Sequence, residues 1–161
     1  MTIKQGDHLP SANLMKATPE GPKPITTDEL FKGRTVVLFS VPGAFTPTCS
    51  AKHLPSYVDN AAHFSGKGVD EIVCVAVNDA FVMGAWGTSA GADGTVTMVA
   101  DGNGHFAEAL GLTMDGTAYG MGKRSQRFAM LVKDGVVDKL FVEEPGAYRV
   151  SSAEHMLAEM A

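Results

Sequence analysis

Cysteine is scarce in this chain: its 161 residues include two, Cys49 and Cys74. Small domains stapled by disulfides carry many more, so a disulfide scaffold is excluded and a reducing compartment, the cytoplasm, is expected. The five histidines are scattered without ligand-like spacing, and we expect no metal and no cofactor. Domains commonly run ~100–200 residues, so residues 1–161 are expected to form a single domain that buries its own core.

Long apolar runs and concentrated positive charge are missing as well. No run approaches the ~18 apolar residues of a membrane span, and the segment MTIKQGDHLPSANL lacks the apolar centre of a secretory signal. The net charge is −5, with acidic and basic residues interspersed, whereas a nucleic-acid-binding surface needs a basic patch. No phosphate-binding loop of the form GxxxxGKS or GxxxxGKT occurs. We therefore expect no membrane and no nucleic-acid partner.

Apolar runs bounded by turn residues alternate with helical patterns along the chain. Short β-branched runs predict buried strands in TVVLFSVP, DEIVCVAVND and TVTMVAD, and RFAMLVKDGVVDKLFVEE predicts two strands joined at Asp134-Gly135. Helices are predicted in TTDELFKG, from Pro47 to Phe64 with a kink at Pro55, in AFVMGAWGTSAG, in GHFAEALGL, and after the capping residue Ser151. This order predicts an α/β fold, a mixed central sheet flanked by helices on both faces. A thioredoxin-like fold fits this description, as do other doubly wound folds.

The segment FTPTCSAKH places one of the cysteines at the junction of a predicted strand and helix. Thr46 suits the N-cap and Pro47 the first helical position, so Cys49 would lie in the first turn. There the unpaired N–H groups and the helix dipole favour a thiolate, the nucleophilic form of cysteine. Thr46, Cys49 and His53 are spaced three and four residues apart, which puts them on one helix face. A reactive thiol and a small core residue both fit this pattern, and a lone histidine such as His53 is more often structural.

PGAFTPTCSAKHLPSY resembles the active-site segment of the peroxiredoxins, whose signature PxxxTxxC is matched by Pro42, Thr46 and Cys49. GVDEIVCVAVNDAFVMGAW and RFAMLVKDGVVDKLFVEEPG are similar to the type II, or peroxiredoxin-five, subfamily of the AhpC/TSA superfamily. The resemblance covers the chain from about Gly6 to the last helix. It implies a thioredoxin-like fold and a thiol-dependent peroxidase. Such an enzyme reduces hydrogen peroxide and alkyl hydroperoxides in antioxidant defence and cell redox homeostasis.

The resemblance also implies a role for each residue of the candidate site. Cys49 would attack the peroxide O–O bond and become a sulfenic acid. The hydroxyl of Thr46, the backbone N–H of Cys49 and the guanidinium of Arg127 would stabilise the negative charge that builds on the departing oxygen. Pro42 would shield the site, and His53 would support it rather than act as the general base.

Further residues of this region are assigned by the same resemblance. Gly43 and Phe45 lie in the active-site loop. Because the active-site loops of the subfamily form its dimer contact, the resemblance implies a homodimer in which Phe45, Phe81 and Trp86 take part, although plain core packing also fits these aromatics. Lys123 and Arg124, which lie close to Arg127 in the sequence, are expected to be surface charges.

The sulfenic acid must be reduced, and EPGAYRVSSAEHM has no cysteine where some family members carry a resolving one. Cys74 is the remaining candidate, but it lies mid-strand among apolar residues, so we expect a structural role. The resemblance then implies an external reductant for Cys49, first glutathione with glutaredoxin, otherwise thioredoxin. A non-catalytic peroxide sensor or redox-dependent chaperone could use the same Cys49. A cysteine hydrolase is weaker, because His53 lies one turn along the same helix.

Overall fold

The computed structural model describes residues 2–160. Its strands are β1 (Asn13–Lys16), β2 (Lys23–Thr26), β3 (Thr35–Val41), β4 (Glu71–Ala76), β5 (Thr97–Ala100), β6 (Thr113–Asp115), β7 (Lys123–Ser125), β8 (Phe128–Lys133) and β9 (Val136–Val142). Its α-helices are α1 (Thr27–Phe31), α2 (Leu54–Asp59), α3 (Ala61–Gly66), α4 (Ala80–Ser89), α5 (His105–Leu110) and α6 (Ala153–Glu159). A π-helical turn, Cys49–His53, precedes α2, and a 3-10 turn, Thr117–Tyr119, lies between β6 and β7.

The central sheet of the described chain has seven strands in the order β2-β1-β5-β4-β3-β8-β9. Strand β4 runs parallel to both β3 and β5. The other pairings in this sheet are antiparallel, including the β8–β9 hairpin. Strands β6 and β7 form a separate antiparallel pair. The parallel centre arises because helices connect β3 to β4 and β4 to β5, as a strand–helix–strand order requires.

Side chains of β3 show how the sheet divides two cores. Val37, Phe39 and Val41 belong to a cluster with the helices α2, α3, α4 and α6. Val36 and Leu38 point the other way, into a cluster with α1 and α5. The strand reads as a continuous apolar run because both of its faces are covered. The predicted α/β fold, with a mixed central sheet and helices on both faces, is confirmed.

Local signals in the sequence place several element ends correctly. Thr26 caps α1 in a reciprocal capping box with Glu29. The β8–β9 hairpin turns at Asp134 and Gly135, whose φ angles are 49° and 78°. Two consecutive positive φ angles are what a two-residue turn between twisted strands needs, and an Asp-Gly pair tolerates them.

The predicted continuous helix from Pro47 to Phe64 is wrong in its middle. The chain becomes helical at Pro47, but Cys49–His53 is a π-helical turn in which the N–H of Leu54 donates to the carbonyl of Cys49. Pro55 explains the widening, because it has no N–H to give to the carbonyl four residues back and its ring crowds that turn. A second interruption at Asn60 separates α2 from α3.

The cap of α6 is displaced by one residue from the prediction. Ser152, not Ser151, is the N-cap, and its hydroxyl accepts the N–H of His155. The side chain of Ser151 instead donates to a carboxylate oxygen of Glu143 at 2.7 Å. The backbone carbonyl of Ser151 lies 3.0 Å from Nε2 of His53 and accepts the hydroxyl of Tyr57.

Candidate active site

The register of β3 against β8 assembles the site. The two strands are antiparallel, and Ser40 of β3 pairs with Phe128 of β8. Arg127, which comes just before β8, therefore lies beside the end of β3 and the loop that leads to Cys49. Two segments 78 residues apart in sequence meet at this edge.

Cys49 is buried, with no exposed surface, and its thiol is free. The Nη2 of Arg127 donates a hydrogen bond to Cys49 Sγ at 3.0 Å. A guanidinium is permanently charged and can only donate, so the sulfur accepts this charge-assisted bond, which fixes the orientation of the two groups. The sequence grouped these two residues by resemblance, and the structure brings them into direct contact.

His53 lies behind Arg127 with both ring nitrogens engaged. Its Nδ1 is 2.8 Å from Nη1 of Arg127, and its Nε2 is 3.0 Å from the carbonyl oxygen of Ser151. A guanidinium can only donate and a carbonyl can only accept. The imidazole must therefore be neutral, with its proton on Nε2 and its lone pair on Nδ1 directed to the arginine. His53 holds Arg127 against Cys49.

The surroundings of His53 keep its imidazole in the neutral form. Burial, followed by the neighbouring positive charge of Arg127, lowers the pKa of His53 from 6.5 to about 3, although the Ser151 carbonyl and the Glu143 carboxylate favour the charged form. A histidine with this pKa cannot serve as a proton-accepting base near neutral pH.

Aromatic rings enclose the buried side of His53. Phe39 and Tyr57 stack with centroids 4.1 Å apart, and the imidazole lies 4.9 Å from the ring of Phe39. The hydroxyl of Tyr57 donates to the same Ser151 carbonyl as His53, at 2.8 Å. On the other side, the Arg127 guanidinium carbon is 5.9 Å from the ring centre of Tyr148. These rings restrict the movement of the guanidinium and the imidazole, so the hydrogen bond between them keeps its geometry.

The loop after β3 forms the opposite wall. The hydroxyl of Thr46 donates to the Gly43 carbonyl at 2.7 Å, so its lone pairs, rather than its proton, are available to an incoming group. The N–H of Ala44 donates to Asn78 Oδ1 at 2.9 Å. A Cβ on Gly43 would lie 3.2 Å from Thr46 Cγ2, a close contact that favours glycine there. Pro42 is half-buried at the start of this loop.

Phe45, which belongs to this loop, lies beside Trp86 of α4. Phe45 has a φ of 65° and is 53% exposed, with its ring 6.4 Å from that of Trp86. Trp86 is buried, and its Nε1 donates to Ser50 Oγ at 3.0 Å. This bond ties α4 to the residue next to Cys49. Of the two roles open for Trp86, a dimer contact and core packing, its burial supports core packing.

Cys74 lies in the sheet and not in the site. It sits in β4 between Phe39 of β3 and Met98 of β5, and it is fully buried. Burial, and secondarily the nearby Cys49, raises the pKa of the Cys74 thiol well above its usual value. Such a thiol is a poor nucleophile unless the chain moves.

Several residues around the site were not found from the sequence. Tyr57 is four residues after His53, a helical spacing that could have indicated it. Ser151 reaches the site through a contact with His53, which is 98 residues away, and the side chain of Glu143 acts through Ser151, so neither leaves a signal in the sequence near Cys49. Arg124, expected at the surface, is half-buried, and it donates to two backbone carbonyls at 2.9 Å each.

Residues 2–160 contain no group of three or more histidine, cysteine or acidic side chains that could hold a metal ion. Within the same described range, no helix has the length and apolar character needed to cross a membrane.

A guanidinium bonded to a cysteine sulfur is the kind of positive environment that is typical of a reactive thiol. The family model described as Redoxin matches residues 4–157. Over 161 residues the chain is 52% identical to Peroxiredoxin-2E-2, chloroplastic, of Oryza sativa subsp. japonica, with 97% of this chain and 72% of that protein covered. Over 166 residues it is 45% identical to the Hybrid peroxiredoxin hyPrx5 of Haemophilus influenzae, covering 100% of this chain and 68% of that protein.

A solved structure agrees with these relatives. The crystal structure of reduced Prx3 of Vibrio vulnificus in complex with hydrogen peroxide is 51% identical, with a TM-score of 0.95, and covers 99% of this chain and 100% of that chain. The chain belongs to the peroxiredoxins of the AhpC/TSA superfamily, within the Redoxin family, and has their thioredoxin-like fold. It is an enzyme, a thiol peroxidase, which takes a peroxide as substrate and electrons from a thiol.

Proposed function

We propose that Cys49 is the peroxidatic nucleophile of this thiol peroxidase. The observation that carries the proposal is the 3.0 Å hydrogen bond from Arg127 Nη2 to Cys49 Sγ. A positive charge fixed on a buried sulfur favours the thiolate, which is the form that attacks peroxides. Hydrogen peroxide is the first substrate, supported by the peroxide bound to the Vibrio relative, and small alkyl hydroperoxides follow.

The proposed reaction is a displacement at oxygen. The Cys49 thiolate gives an electron pair to the nearer peroxide oxygen, and the S–O bond forms as the O–O bond breaks. The sulfur is oxidised to a sulfenic acid, and the leaving oxygen takes a proton from solvent to depart as water or an alcohol. Arg127 and the backbone N–H of Cys49 stabilise the charge on that leaving oxygen.

The loop residues have proposed roles that follow from their hydrogen bonds. Because the hydroxyl of Thr46 gives its proton to Gly43, its oxygen can accept the O–H of an entering peroxide and orient it. Pro42 has no N–H to compete for that peroxide and shields the sulfur from water. His53 orients Arg127.

We propose that an external thiol regenerates Cys49, first glutathione with glutaredoxin and otherwise thioredoxin. The thiol condenses with the sulfenic acid, releasing water and forming a mixed disulfide, which a second thiol reduces. The burial and raised pKa of Cys74 support a structural role for it in this cycle. A reducing compartment, the cytoplasm first, would supply these thiols.

Peroxide consumption tests the proposal. Wild type, Cys49→Ser and Cys74→Ser are compared with glutathione plus glutaredoxin, and separately with thioredoxin plus its reductase. We expect loss of turnover in Cys49→Ser and full turnover in Cys74→Ser with glutaredoxin. Turnover by Cys49→Ser would overturn the assignment of the nucleophile. Collapse of Cys74→Ser with both systems would show that the second cysteine takes part.

A further inference from the structure

The carboxylate of Glu143 lies at the end of β9, 6% exposed, and gathers a backbone turn around itself. It accepts the N–H groups of Arg149, Val150 and Ser151 at 2.8–2.9 Å. The hydroxyl of Ser151 adds a further bond at 2.7 Å. Although partial burial of the carboxyl opposes it, hydrogen bonds from Ser151, Arg149 and Val150 hold the pKa of Glu143 below its usual range. The ionised form is the one that this turn requires.

The turn ends at the groups that orient the site. With its N–H and hydroxyl held by Glu143, Ser151 directs its carbonyl to His53 Nε2 at 3.0 Å. That bond selects the tautomer whose Nδ1 accepts from Arg127 at 2.8 Å. Glu143 also reaches Arg127 by a second route, since its backbone N–H donates to the Arg127 carbonyl at 3.0 Å. Glu143 therefore supports Arg127 twice, through Ser151 and His53 at the guanidinium and through its own backbone N–H at the Arg127 carbonyl.

We propose that Glu143 is a positioning residue for peroxide reduction, acting through the Ser151 carbonyl and His53 to hold the Arg127 guanidinium on the Cys49 sulfur. The proposal rests on the proposed function of Cys49. No hydrogen bond joins Glu143 to the sulfur among the described contacts, so its effect must pass through this chain of bonds.

Glutamine is the informative replacement at this position. It keeps the size of the side chain, but its amide would turn an N–H₂ group toward backbone N–H donors, which cannot accept it. Several bonds of the turn would be lost, and the Ser151 carbonyl would no longer be fixed against His53. A displacement of about 1 Å in such support can cost about 10²-fold in rate.

The experiment measures the second-order rate of Cys49 oxidation by hydrogen peroxide in single turnover. The single tryptophan, Trp86, bonds to Ser50 beside Cys49, and its fluorescence supplies the signal. Glu143→Gln is compared with Glu144→Gln, an exposed neighbour with the same change of charge. We expect a loss of about 10- to 100-fold for Glu143→Gln and less than about 2-fold for Glu144→Gln.

A double-mutant cycle separates positioning from general destabilisation. In the His53→Phe background the link to Arg127 is already broken, so Glu143→Gln should add less than about 2-fold further loss. Glu143→Asp, which keeps the charge, is measured in both backgrounds in case the glutamine variant does not fold. It should show a smaller loss that His53→Phe likewise removes. Equal losses in both backgrounds, or no loss in a folded variant, would overturn the positioning role. A wild type that does not react at Cys49 would instead overturn the proposed function.

Discussion

At the scale of single residues, the site is a short chain of hydrogen bonds with a fixed direction. Arg127 donates both to Cys49 and to His53, and His53 donates onward to the Ser151 carbonyl. The imidazole is therefore an acceptor for the arginine and not a base for the thiol. Its value to the site should depend on its two hydrogen-bonding atoms rather than on its ability to titrate.

Replacing His53 by glutamine or by phenylalanine tests this view. An amide can accept from Arg127 with its oxygen and donate to Ser151 with its nitrogen, whereas a phenyl ring can do neither. We expect the rate of peroxide reaction to stay within about 10-fold of wild type in His53→Gln and to fall about 10²-fold in His53→Phe. Single-turnover kinetics give both rates. Equal losses in the two variants would mean that hydrogen bonding at this ring is unimportant.

Acid should destabilise the fold through His53. The unfolded chain takes up a proton near pH 6.5, whereas the folded protein resists it until about pH 3. Between these values the unfolded state binds more protons, so the free energy of unfolding falls as the pH falls. Urea unfolding at several pH values from 7 to 4 measures this for wild type and His53→Gln. The stability advantage of wild type should shrink toward acid, and parallel curves for the two proteins would contradict it.

Sequence reasoning grouped Pro42, Thr46, Cys49 and Arg127 through the resemblance to a known signature, and Thr46 and Cys49 also through their position at a helix start. Their roles in the reaction stay predictions, although the structure brings Arg127 into contact with Cys49. Ser151 was missed because its contact with His53 joins residues almost a hundred positions apart, and the side chain of Glu143 was missed because it acts on the site through Ser151. Sequence periodicity carries no information about such contacts.

At the scale of elements, helix α4 ties the site to the core through its buried face. Trp86 on this helix reaches Ser50, and its neighbour Gly87 lies directly against Met98 of β5. Two glycines, Gly84 and Gly87, lie within this helix, where glycine lowers helix propensity. The packing shows that they differ: a Cβ on Gly87 would be 2.6 Å from Met98 Cγ, and one on Gly84 would be 3.4 Å from Ala17 Cβ.

Alanine at these two glycines should have opposite effects on stability. Gly87→Ala would overpack the contact between α4 and β5, and we expect it to lower the free energy of unfolding by about 1–3 kcal/mol. Gly84→Ala meets ordinary contact and gains helix propensity, so we expect no loss and a gain of up to about 1 kcal/mol. Chemical denaturation measures both. A destabilised Gly84→Ala together with an unchanged Gly87→Ala would contradict this description of the packing.

The five strands that the sequence predicted, β3, β4, β5, β8 and β9, are present, and they were found for a physical reason, whereas β1, β2, β6 and β7 were not predicted. A buried strand in this sheet is a short apolar run with turn residues at each end, and both properties are local. The π-helical turn at Cys49–His53 depends on how Pro55 disturbs the hydrogen bonds before it and on the packing against Arg127. Of these two causes, only the proline can be read from the sequence. It predicted a kink in the helix but not that the kink would be a π-helical turn.

At the scale of the whole molecule, two aromatic side chains are exposed, one of them in the active-site loop. Phe81 is 74% exposed on α4, and Phe45 is 53% exposed in the active-site loop. Aromatic residues are enriched at protein interfaces. The exposure of these two residues supports the homodimer that the resemblance implies. That residues 1–161 form a single domain also stays a prediction.

Sedimentation velocity tests the dimer proposal. We expect wild type to sediment as a dimer and Phe81→Glu to shift toward monomer, because a charge would be buried without a partner in the contact. Val136→Glu is the control. Val136 is 36% exposed and lies at the β8–β9 turn, at the opposite end of β8 from Arg127. A monomeric wild type, or equal shifts in both variants, would contradict the dimer contact at Phe81.

The most direct test of the central claim is to find which sulfur a peroxide oxidises and whether Arg127 is needed. Reduced wild type and Arg127→Gln are treated with one equivalent of hydrogen peroxide in the presence of dimedone, and the labelled cysteine is located by mass spectrometry. We predict rapid labelling of Cys49 in wild type, none on Cys74, and labelling slowed about 10²-fold or more in Arg127→Gln. Label on Cys74, or equally fast labelling of Cys49 without the arginine, would contradict the claim that Arg127 makes Cys49 the reactive thiol.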